Sequence, residues 1–327
     1  MKIKRIVTKR YYCEWRSWHL VYEWEDIFRK ELDASFVVNL DNKMHEKYSW
    51  FYDRLPLHKI WPWTSFVYEM LPLLNYIRHN NSSKIVPCII DWYLKTDTEL
   101  RSFFDHYSNH KLILVTSKQA FDYLSKKDTP IPFGHLPLSL SDKYRISADI
   151  TFKKDIDVVL MGRQNPILLE WLNRYSESHP GLKIASSKRQ HDNYNYYTQD
   201  GELVANAITR SQCMDLMRRS RISLYSTKGM DNDYTEYNTN GFSQVTPRLF
   251  ECMATGNHII ARYDENEDTD YFKLNSVCPH TESYESFERQ MNHALEHPVD
   301  MKSYSKYLEN HYTSTRVKLL KDLVCPL

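Results

Sequence analysis

Residues 246–260 read Thr246-Pro-Arg-Leu-Phe-Glu-Cys-Met-Ala-Thr-Gly-Asn-His-Ile-Ile260 and predict a short helix that leads into a buried strand. Thr246 suits the N-cap, and Pro247 suits the first helical position, where a missing N–H costs nothing. Gly256 can adopt the left-handed conformation that ends a helix. The apolar residues that follow it form the strand. A helix joined to a buried strand in this way is typical of an α/β sheet.

Two charged side chains in this stretch point to a ligand. Arg248 and Glu251 are three residues apart, so they share one face near the positive end of the helix dipole. An arginine and a carboxylate held there can bind a diphosphate and a ribose diol, the polar parts of a nucleotide sugar. An exposed pair between the two would stabilise the helix by only about 0.2–0.5 kcal/mol. We therefore expect Glu251→Gln to weaken ligand binding and to leave folding almost unchanged.

The rest of the chain alternates apolar runs with helical patterns. In the first half the predicted strands are 4–8, 35–40, 84–91, 111–117 and 132–136, and the predicted helices are 17–32, 66–79, 98–106 and 118–126. The second half repeats the pattern with strands at 157–161, 183–185, 221–226 and 258–263 and helices at 166–178, 211–220, 283–296 and 301–323. Val, Ile and Leu fill the strands almost continuously, as buried parallel strands require. The polar stretch 187–202 is predicted to be an exposed loop.

This order of elements, together with the length, predicts two domains. A chain of 327 residues is long for one hydrophobic core. We place an amino-terminal Rossmann-like domain at 1–145, a second one at 155–300, and a terminal helix at 301–327 that packs back on the first domain. The polar segment 139–154 is the predicted linker between the two domains.

Composition excludes several classes of function. Lys plus Arg total 43 and Asp plus Glu total 42, so no net charge draws the chain to nucleic acid or to anionic lipid. The six cysteines form no Cys-x-x-Cys pair, which argues against structural zinc. Most lie beside apolar residues, as reduced core cysteines do, and no run is long enough to span a membrane. A cytoplasmic protein is expected, with peripheral contact at the inner face of the membrane left open.

The block around Arg248, Glu251 and Gly256 resembles the donor-binding signature of GT-B-fold glycosyltransferases, in which two Rossmann-like domains face each other across a cleft and a C-terminal helix closes the fold. The similar members are a bacterial family 1/4-like group that carries an Arg-Phe-Glu-x-x-Ala-x-Gly helix. The resemblance is closest over residues 157–271 and only architectural over the first 150 residues. It implies a nucleotide-sugar donor, an acceptor-binding first domain and a donor-binding second domain.

Two further strand ends in the second half carry groups suited to a diphosphate. Gly162 lets the backbone approach a ligand, and Arg163 can pair with a phosphate; the resembling family has a Gly-Arg at this strand end. After strand 221–226, the hydroxyls of Tyr225 and Ser226 and the ammonium of Lys228 suit the same ligand. With Thr246, Arg248 and Glu251, these residues form the predicted donor site. The wider group carries a second glutamate eight residues before Glu251, where this chain has Ser243.

Two other features flank the predicted donor site. The polar stretch 229–243 is predicted to be a functional loop beside the diphosphate. Asp-x-Asp pairs at 155–157, 231–233 and 268–270 resemble the metal-binding pairs of the other large glycosyltransferase fold, but a three-residue pattern is weak. Because Arg163 and Lys228 can neutralise a diphosphate, we expect a site without metal and without a cofactor other than the nucleotide sugar.

The acceptor and any catalytic base are expected in the first half. An inverting transferase needs a group that takes the acceptor hydroxyl proton, and a retaining one does not. Asp91 at a strand end, His19 on the first long helix, and His45 in the loop after strand 35–40 are the candidates. For each histidine, packing or surface exposure is the simpler explanation.

Glycosyl transfer from a nucleotide diphosphate to a glycan or glycolipid acceptor, in bacterial surface polysaccharide synthesis, is the leading hypothesis. A nucleotide-sugar epimerase, a non-catalytic nucleotide-sugar-binding protein and a phage-type DNA-base glycosyltransferase are the alternatives. The last of these lacks the basic charge that binding to nucleic acid favours.

Overall fold

A computed structural model describes residues 3–11, 18–37, 67–71, 83, 85–190, 193–206, 209–232 and 239–324. The chain divides into two compact units. The amino-terminal unit comprises Met1–Asp142, Thr239–Phe242 and Thr313–Leu327, and the carboxyl-terminal unit comprises Lys143–Asn238 and Ser243–Tyr312.

Within the described residues, the strands in chain order are β1 Arg5–Val7, β2 Ser35–Val37, β3 Val67–Leu71, β4 Ile85–Ile89, β5 Ile113–Val115, β6 Phe133–His135, β7 Ile156–Leu160, β8 Ile184–Gln190, β9 Asn193–Tyr197, β10 Leu203–Asn206, β11 Ser220–Ser226 and β12 His258–Arg262. The helices are α1 His19–Leu32, α2 Asp97–Tyr107, α3 Lys118–Ser125, α4 Pro166–Ser178, α5 Arg210–Arg219, α6 Arg248–Ala254, α7 Glu267–Tyr271, α8 Tyr284–Glu296, α9 Met301–Leu308 and α10 Thr313–Val324.

The described strands of the amino-terminal unit form one parallel sheet in the order β2-β1-β3-β4-β5-β6. Every residue of β4 and β5 is buried, as expected for parallel strands covered on both faces. Trp92 and Phe103 pack edge to face beside this sheet, with ring centroids 5.0 Å apart. Helix α10 packs against α1 in the same unit.

The carboxyl-terminal unit has a mixed sheet in the order β10-β9-β8-β7-β11-β12, counting the described strands. Strands β8, β7, β11 and β12 are parallel, while β9 and β10 continue the sheet in antiparallel pairs. Its core lies between this sheet and helices α4 and α8, and contains Leu168, Tyr175, Ile222, Phe287 and Met291. Each unit is therefore a Rossmann-like α/β layer structure.

Three predictions of local structure were wrong. The helix predicted at 66–79 is contradicted by β3, which pairs with both β1 and β4. Pairing on both sides outweighs the helical spacing of this apolar run. The loop predicted at 187–202 instead contains the end of β8 and all of β9, where Tyr196 is buried. The helix predicted at 301–323 is two helices, because the chain leaves α9 after Leu308 and begins α10 at Thr313.

Candidate functional site

The sheet order of the carboxyl-terminal unit creates a switch point beside β7. The chain runs from β7 to β8 on one side and later returns to β11 on the other side of β7. Connections that leave in opposite directions open a crevice at the carboxyl ends of the two neighbouring strands, and α/β proteins bind ligands there. The turns that begin at Met161 and Thr227 follow these two strands.

The turn after β7 requires glycine. Gly162 has a φ of +75°, a conformation that side chains other than glycine rarely adopt. A Cβ atom at this position would lie 3.4 Å from Nη2 of Arg248. The structure thus brings together the predicted glycine and the predicted arginine of helix α6. Arg163, the next residue, is exposed.

Helix α4 begins beside this turn. The buried side chain of Asn165 caps it, since its Oδ1 accepts hydrogen bonds from the backbone N–H groups of Ile167 and Leu168, both at 3.0 Å. Its Nδ2 donates to Oδ2 of Asp231 at 2.9 Å. Asn165 therefore ties the first turn of α4 to the segment that follows β11.

Asp231 is held by a cation as well as by Asn165. Nη2 of Arg262 donates to its Oδ1 at 3.1 Å. Burial opposes its ionisation, but the hydrogen bonds from Arg262 and Asn165 outweigh burial and lower its pKa. Asp231 thus links Asn165 to Arg262. Asp233, the other member of this Asp-x-Asp pair, lies outside the described residues. No group of three or more His, Cys, Asp or Glu side chains in the described part of the chain could hold a metal ion.

Helix α6 differs from the prediction by one residue at its start. It begins at Arg248, and Pro247 rather than Thr246 occupies the N-cap position. Pro247 already has helical angles, and its carbonyl accepts from the N–H of Glu251 at 3.2 Å, so the helical turn starts one residue later than expected. Thr246 instead donates its N–H to the hydroxyl of Tyr225 at 3.1 Å. Gly256 has the predicted left-handed conformation, with φ +64°.

Glu251 is buried and bound by two arginines. Its Oε1 lies 2.6 Å from Nη1 of Arg210, and its Oε2 lies 3.2 Å from Nη1 of Arg248. Burial alone would raise the pKa of Glu251, but the two guanidinium groups outweigh burial and hold the pKa below its usual value. Glu251 is therefore an ionised carboxylate, and Arg248 is fixed at the edge of the switch point.

Arg210 is a residue that the sequence analysis missed. It is the first residue of α5, whose capping box joins Thr209 and Gln212. A cation at the amino end of a helix opposes the helix dipole, so a partner is needed to compensate it. Glu251 supplies this partner, and the ring of Tyr144 lies 5.6 Å from the guanidinium carbon. An arginine at this unfavourable helical position was the available signal.

The turn after β11 is held to the segment before α6. The backbone N–H of Lys228 donates to the carbonyl of Gln244 at 3.3 Å. The hydroxyls of Thr227 and Ser243 are hydrogen-bonded at 2.7 Å and buried. Tyr225 and Ser226 are buried at the end of the strand, and Lys228 is half-buried. The loop predicted at 229–243 is described only in part, since 233–238 lie outside the described residues.

The three catalytic bases predicted in the first half differ in how much the structure shows of them. His45 lies outside the described residues. His19 is the first residue of α1, and its ring centroid is 6.0 Å from that of Tyr22. Asp91 is half-buried and follows the end of β4 by two residues, so the predicted strand end was too late.

A buried carboxylate that the sequence analysis missed lies in the amino-terminal unit. Oε2 of Glu25 accepts from the hydroxyl of Thr8 at 2.6 Å, directly after the carboxyl end of β1, and lies 3.2 Å from Nη2 of Arg10. Burial raises the pKa of Glu25 to about 7, although Thr8 and Arg10 oppose it. Strand β1 neighbours both β2 and β3, so its carboxyl end is the switch point of this sheet.

The helical pattern contained the signal for Glu25. Val21, Glu25, Phe28 and Leu32 are all buried on α1. They recur at helical spacing on one face, so Glu25 occupies a position that an apolar residue would normally fill. A carboxyl group whose pKa lies near 7 can accept or donate a proton near neutral pH.

Comparison with known proteins gives a family-model match for the carboxyl-terminal half. Residues 163–322 match the model of a family described as glycosyl transferase-like. The matched residues include Arg163, Lys228, Arg248 and Glu251. No curated protein sequence matches the chain.

Solved structures resemble the chain at low sequence identity. A putative UDP-N-acetylglucosamine 2-epimerase from Listeria monocytogenes matches with a TM-score of 0.50 at 10% identity, over 100% of this chain and 98% of that one. The GtfA/B complex matches with a TM-score of 0.46 at 13% identity, over 82% of this chain and 59% of that one. The pneumococcal O-GlcNAc transferase GtfA, solved with UDP and GlcNAc, matches with a TM-score of 0.46 at 11% identity, over 75% and 53%. The chain thus spans less than two thirds of the chains in these last two structures.

The predicted fold class is confirmed. Two Rossmann-like α/β units with parallel strands, together with the full-length structural match, show the two-domain fold of GT-B glycosyltransferases. None of the helices in the described ranges is both long and apolar enough to cross a membrane.

Proposed function

We propose that the protein is a glycosyltransferase that moves a sugar from a nucleotide-diphosphate donor to a glycan or glycolipid acceptor. One observation carries this proposal. The switch point of a glycosyltransferase-like domain presents Gly162 within reach of Arg248, and Glu251 holds that arginine in place. Backbone without a side chain, next to a fixed guanidinium group, suits a diphosphate.

The diphosphate is proposed to lie against the two strand-end turns. Arg163 and Lys228 follow β7 and β11, and Arg248 starts α6 beside Gly162. When the bond between the sugar and the diphosphate breaks, negative charge grows on the leaving phosphate, and these cations stabilise it. Because cations do this work, we propose that transfer requires no metal ion.

Glu251 is proposed to act in two ways. Each of its oxygens accepts one arginine contact, and a carboxylate oxygen has capacity for a second hydrogen bond. The remaining capacity suits the two ribose hydroxyls of the donor. The contacts to Arg210 and Arg248 fix the carboxylate before the nucleotide binds, so the side chain loses little conformational entropy on binding. Tyr225 and Thr246 support the same edge through their hydrogen bond, and Ser226 lies beside them.

The acceptor hydroxyl is proposed to lose its proton to a group of the amino-terminal unit as its oxygen attacks the anomeric carbon. Glu25 is a further candidate for this role, because it lies beside Thr8 at the switch point of its sheet and burial raises its pKa to about 7. Asp91, His19 and His45 remain sequence-based candidates for the same role. A retaining reaction would need none of the four.

Surface polysaccharide synthesis in the cytoplasm, with visits to the inner face of the membrane for a lipid-linked acceptor, is the proposed setting. The resemblance to bacterial enzymes of that class supports it. Buried thiols at Cys252 and Cys278 also fit a reducing compartment.

Thermal unfolding against a panel of UDP-, GDP-, ADP-, CMP- and dTDP-sugars, with and without EDTA, tests the proposal. A ligand that binds only the folded state adds about 2.7 kcal/mol at 100 times its Kd, which shifts the midpoint visibly. A selective shift that survives EDTA supports a metal-independent donor site. The absence of a shift with every donor would overturn the proposal.

The selected donor is then incubated with glycan and glycolipid acceptors. Transfer that depends on an acceptor supports a transferase. Conversion of the sugar without any acceptor would instead assign a nucleotide-sugar epimerase. Binding with neither outcome would assign a non-catalytic binding protein.

A further inference from the structure

The carboxyl-terminal unit has a cavity of about 350 Å³ at the edge of its sheet opposite the switch point. Lys154, Arg221 and His258, which line it, stand just before or at the starts of β7, β11 and β12. Its volume lies in the range of about 300–1,000 Å³ that is typical of small-molecule sites. It is therefore large enough for a ligand of its own, and the proposed donor site at the other strand ends does not include it.

One wall of the cavity is apolar. Phe152 and Met301 close over Gly256, where a Cβ atom would lie 3.0 Å from Cδ2 of Phe152 and 3.1 Å from Sδ of Met301. Ile150 and Val299 extend this wall. Only the absence of a side chain at Gly256 lets the ring and the thioether come so close. The wall offers a hydrocarbon surface and little to hold a polar sugar.

The other wall carries basic side chains. The ammonium of Lys154 donates to the carbonyls of Ser220 and Thr255 at 2.7 and 2.8 Å and approaches Oδ1 of Asn257 at 3.3 Å. Those two carbonyls stand at the carboxyl ends of α5 and α6, where a cation is favoured. Three oxygens occupy its donors, and burial lowers the pKa of Lys154 to about 7. Lys154 therefore contributes only part of a positive charge to the cavity at neutral pH, and no hydrogen bond to a ligand.

Arg221 is better placed to bind an anion. Its side chain is 42% exposed, and its Nε is 3.5 Å from Oδ1 of Asp157, a distance beyond that of a good hydrogen bond. The guanidinium group has five N–H donors in a planar fork that matches a carboxylate. The lining includes one carboxylate, that of the exposed Glu296. Arg221, with its partly exposed guanidinium group, is therefore the lining residue best suited to pair with an anion.

We propose that this cavity binds an amphipathic monoanion, an aliphatic carboxylic acid of medium chain length. The chain lies on Phe152, Met301 and Val299, and the carboxylate pairs with Arg221. This ligand differs from a nucleotide sugar in that its body is apolar, and the site is separate from the donor edge.

Isothermal titration with octanoate at neutral pH and low salt tests this assignment. Octan-1-ol has the same chain without the charge, and acetate has the charge without the chain. Octanoate should bind at one site, and each of the two comparison compounds should bind at least about tenfold more weakly, since a charge-assisted pair or a buried chain is lost. Equal binding of octanoate and octan-1-ol, or no binding of octanoate, would overturn the proposal.

Two variants locate the bound octanoate. Arg221→Gln should weaken octanoate binding by about tenfold or more, and Val299→Trp should abolish it by filling the cavity. Arg145→Gln is the matched control, because Arg145 is an exposed arginine of the same unit that pairs with Glu309 and does not line the cavity. Circular dichroism confirms that each variant is folded.

Wild-type affinity in both folded cavity variants would overturn the site. Displacement of octanoate by the nucleotide donor would also overturn it, because octanoate would then occupy the donor edge. Unchanged octanoate binding in the presence of the donor supports two separate sites. A failure of octanoate to bind leaves the nucleotide panel unaffected, so the two proposals fail independently.

Discussion

Two buried glutamates, one in each unit, show how the same side chain acquires opposite proton affinities. Glu25 is 2% exposed and Glu251 is 3% exposed, so both are removed from water to the same extent. The pKa of Glu25 is raised to about 7, whereas the pKa of Glu251 is lowered. Burial acts in the same direction on both and therefore cannot explain the difference.

The cations around each carboxylate explain it. Glu251 has two guanidinium partners, one on each oxygen. Glu25 has one guanidinium partner, Arg10. Because Arg10 also pairs with Asp26, it stabilises the ionised form of Glu25 less strongly. Two arginines overcome the cost of burying a charge and one shared arginine does not. One unit thus holds a permanent anion beside its switch point, and the other holds a group that titrates near neutral pH.

The largest expected effect comes from removing the charge of Glu251. Glu251→Gln leaves Arg210 and Arg248 without their anion, and breaking a buried pair from one side costs about 3–5 kcal/mol. The near-neutral effect on folding that was expected from the sequence does not fit these contacts. Urea unfolding, followed by circular dichroism, measures the loss.

A double-mutant cycle with Arg210→Gln serves as the control. The two residues touch, so the double variant should lose less stability than the sum of the single losses. Additive losses would show that the buried pair is not what stabilises this part of the unit.

A pH series on Glu25→Gln sharpens the comparison. Because the pKa of Glu25 is raised, the folded protein keeps a proton that the unfolded protein releases. The contribution of this proton to the free energy of unfolding is complete below pH 4.5 and is lost as the pH rises toward 7. The difference between 4.5 and about 7 corresponds to about 3 kcal/mol. Between about pH 4 and pH 8, wild type should therefore lose about 3 kcal/mol of unfolding free energy relative to the variant.

Asp26→Asn is the control for this series. Asp26 pairs with the same arginine but is 53% exposed, so its removal should change stability by less than about 1 kcal/mol across that range. Parallel pH curves for wild type and Glu25→Gln would contradict the raised pKa.

A smaller effect separates backbone strain from ligand contact at the switch point. Gly162 and Gly201 have φ values of +75° and +86°, so alanine at either should cost about 1–2 kcal/mol of stability. A Cβ at Gly162 would lie 3.4 Å from Arg248, whereas a Cβ at Gly201 meets nothing within 4 Å. Thermal unfolding should show similar losses in both variants, and titration should show weaker nucleotide binding in Gly162→Ala alone. Equal nucleotide affinities would remove Gly162 from the site.

The sequence predicted the parts of this molecule that local patterns determine. Apolar runs located most strands because buried parallel strands need continuous apolar residues, and Gly256 marked a left-handed helix end because other residues avoid that conformation. Strand β3 was missed, since its pairing with β1 and β4 involves residues far apart in the chain. Such pairing is not visible in an apolar run of ambiguous spacing.

The candidate site shows the same limit. Spacing put Arg248 and Glu251 on one face, because three residues separate them on a helix. Spacing could not show that Arg210, 41 positions away, binds the same carboxylate. Nor could spacing show that Glu251 is buried. Because it is buried, the pair of Glu251 and Arg248 contributes to stability as well as forming a candidate ligand site.

Calorimetric titration of nucleotide diphosphates into Arg248→Gln and wild type tests the central claim most directly. Arg174→Gln is the control, since Arg174, on α4, lies over the ring of Tyr284, on α8, and not beside Gly162. At least one of UDP, GDP, ADP and dTDP should bind wild type and Arg174→Gln alike, and should bind Arg248→Gln about 10–100-fold more weakly through the loss of a charged hydrogen bond. Binding of none of them to wild type, or equal binding to all three proteins, would contradict a donor site at this edge of the sheet.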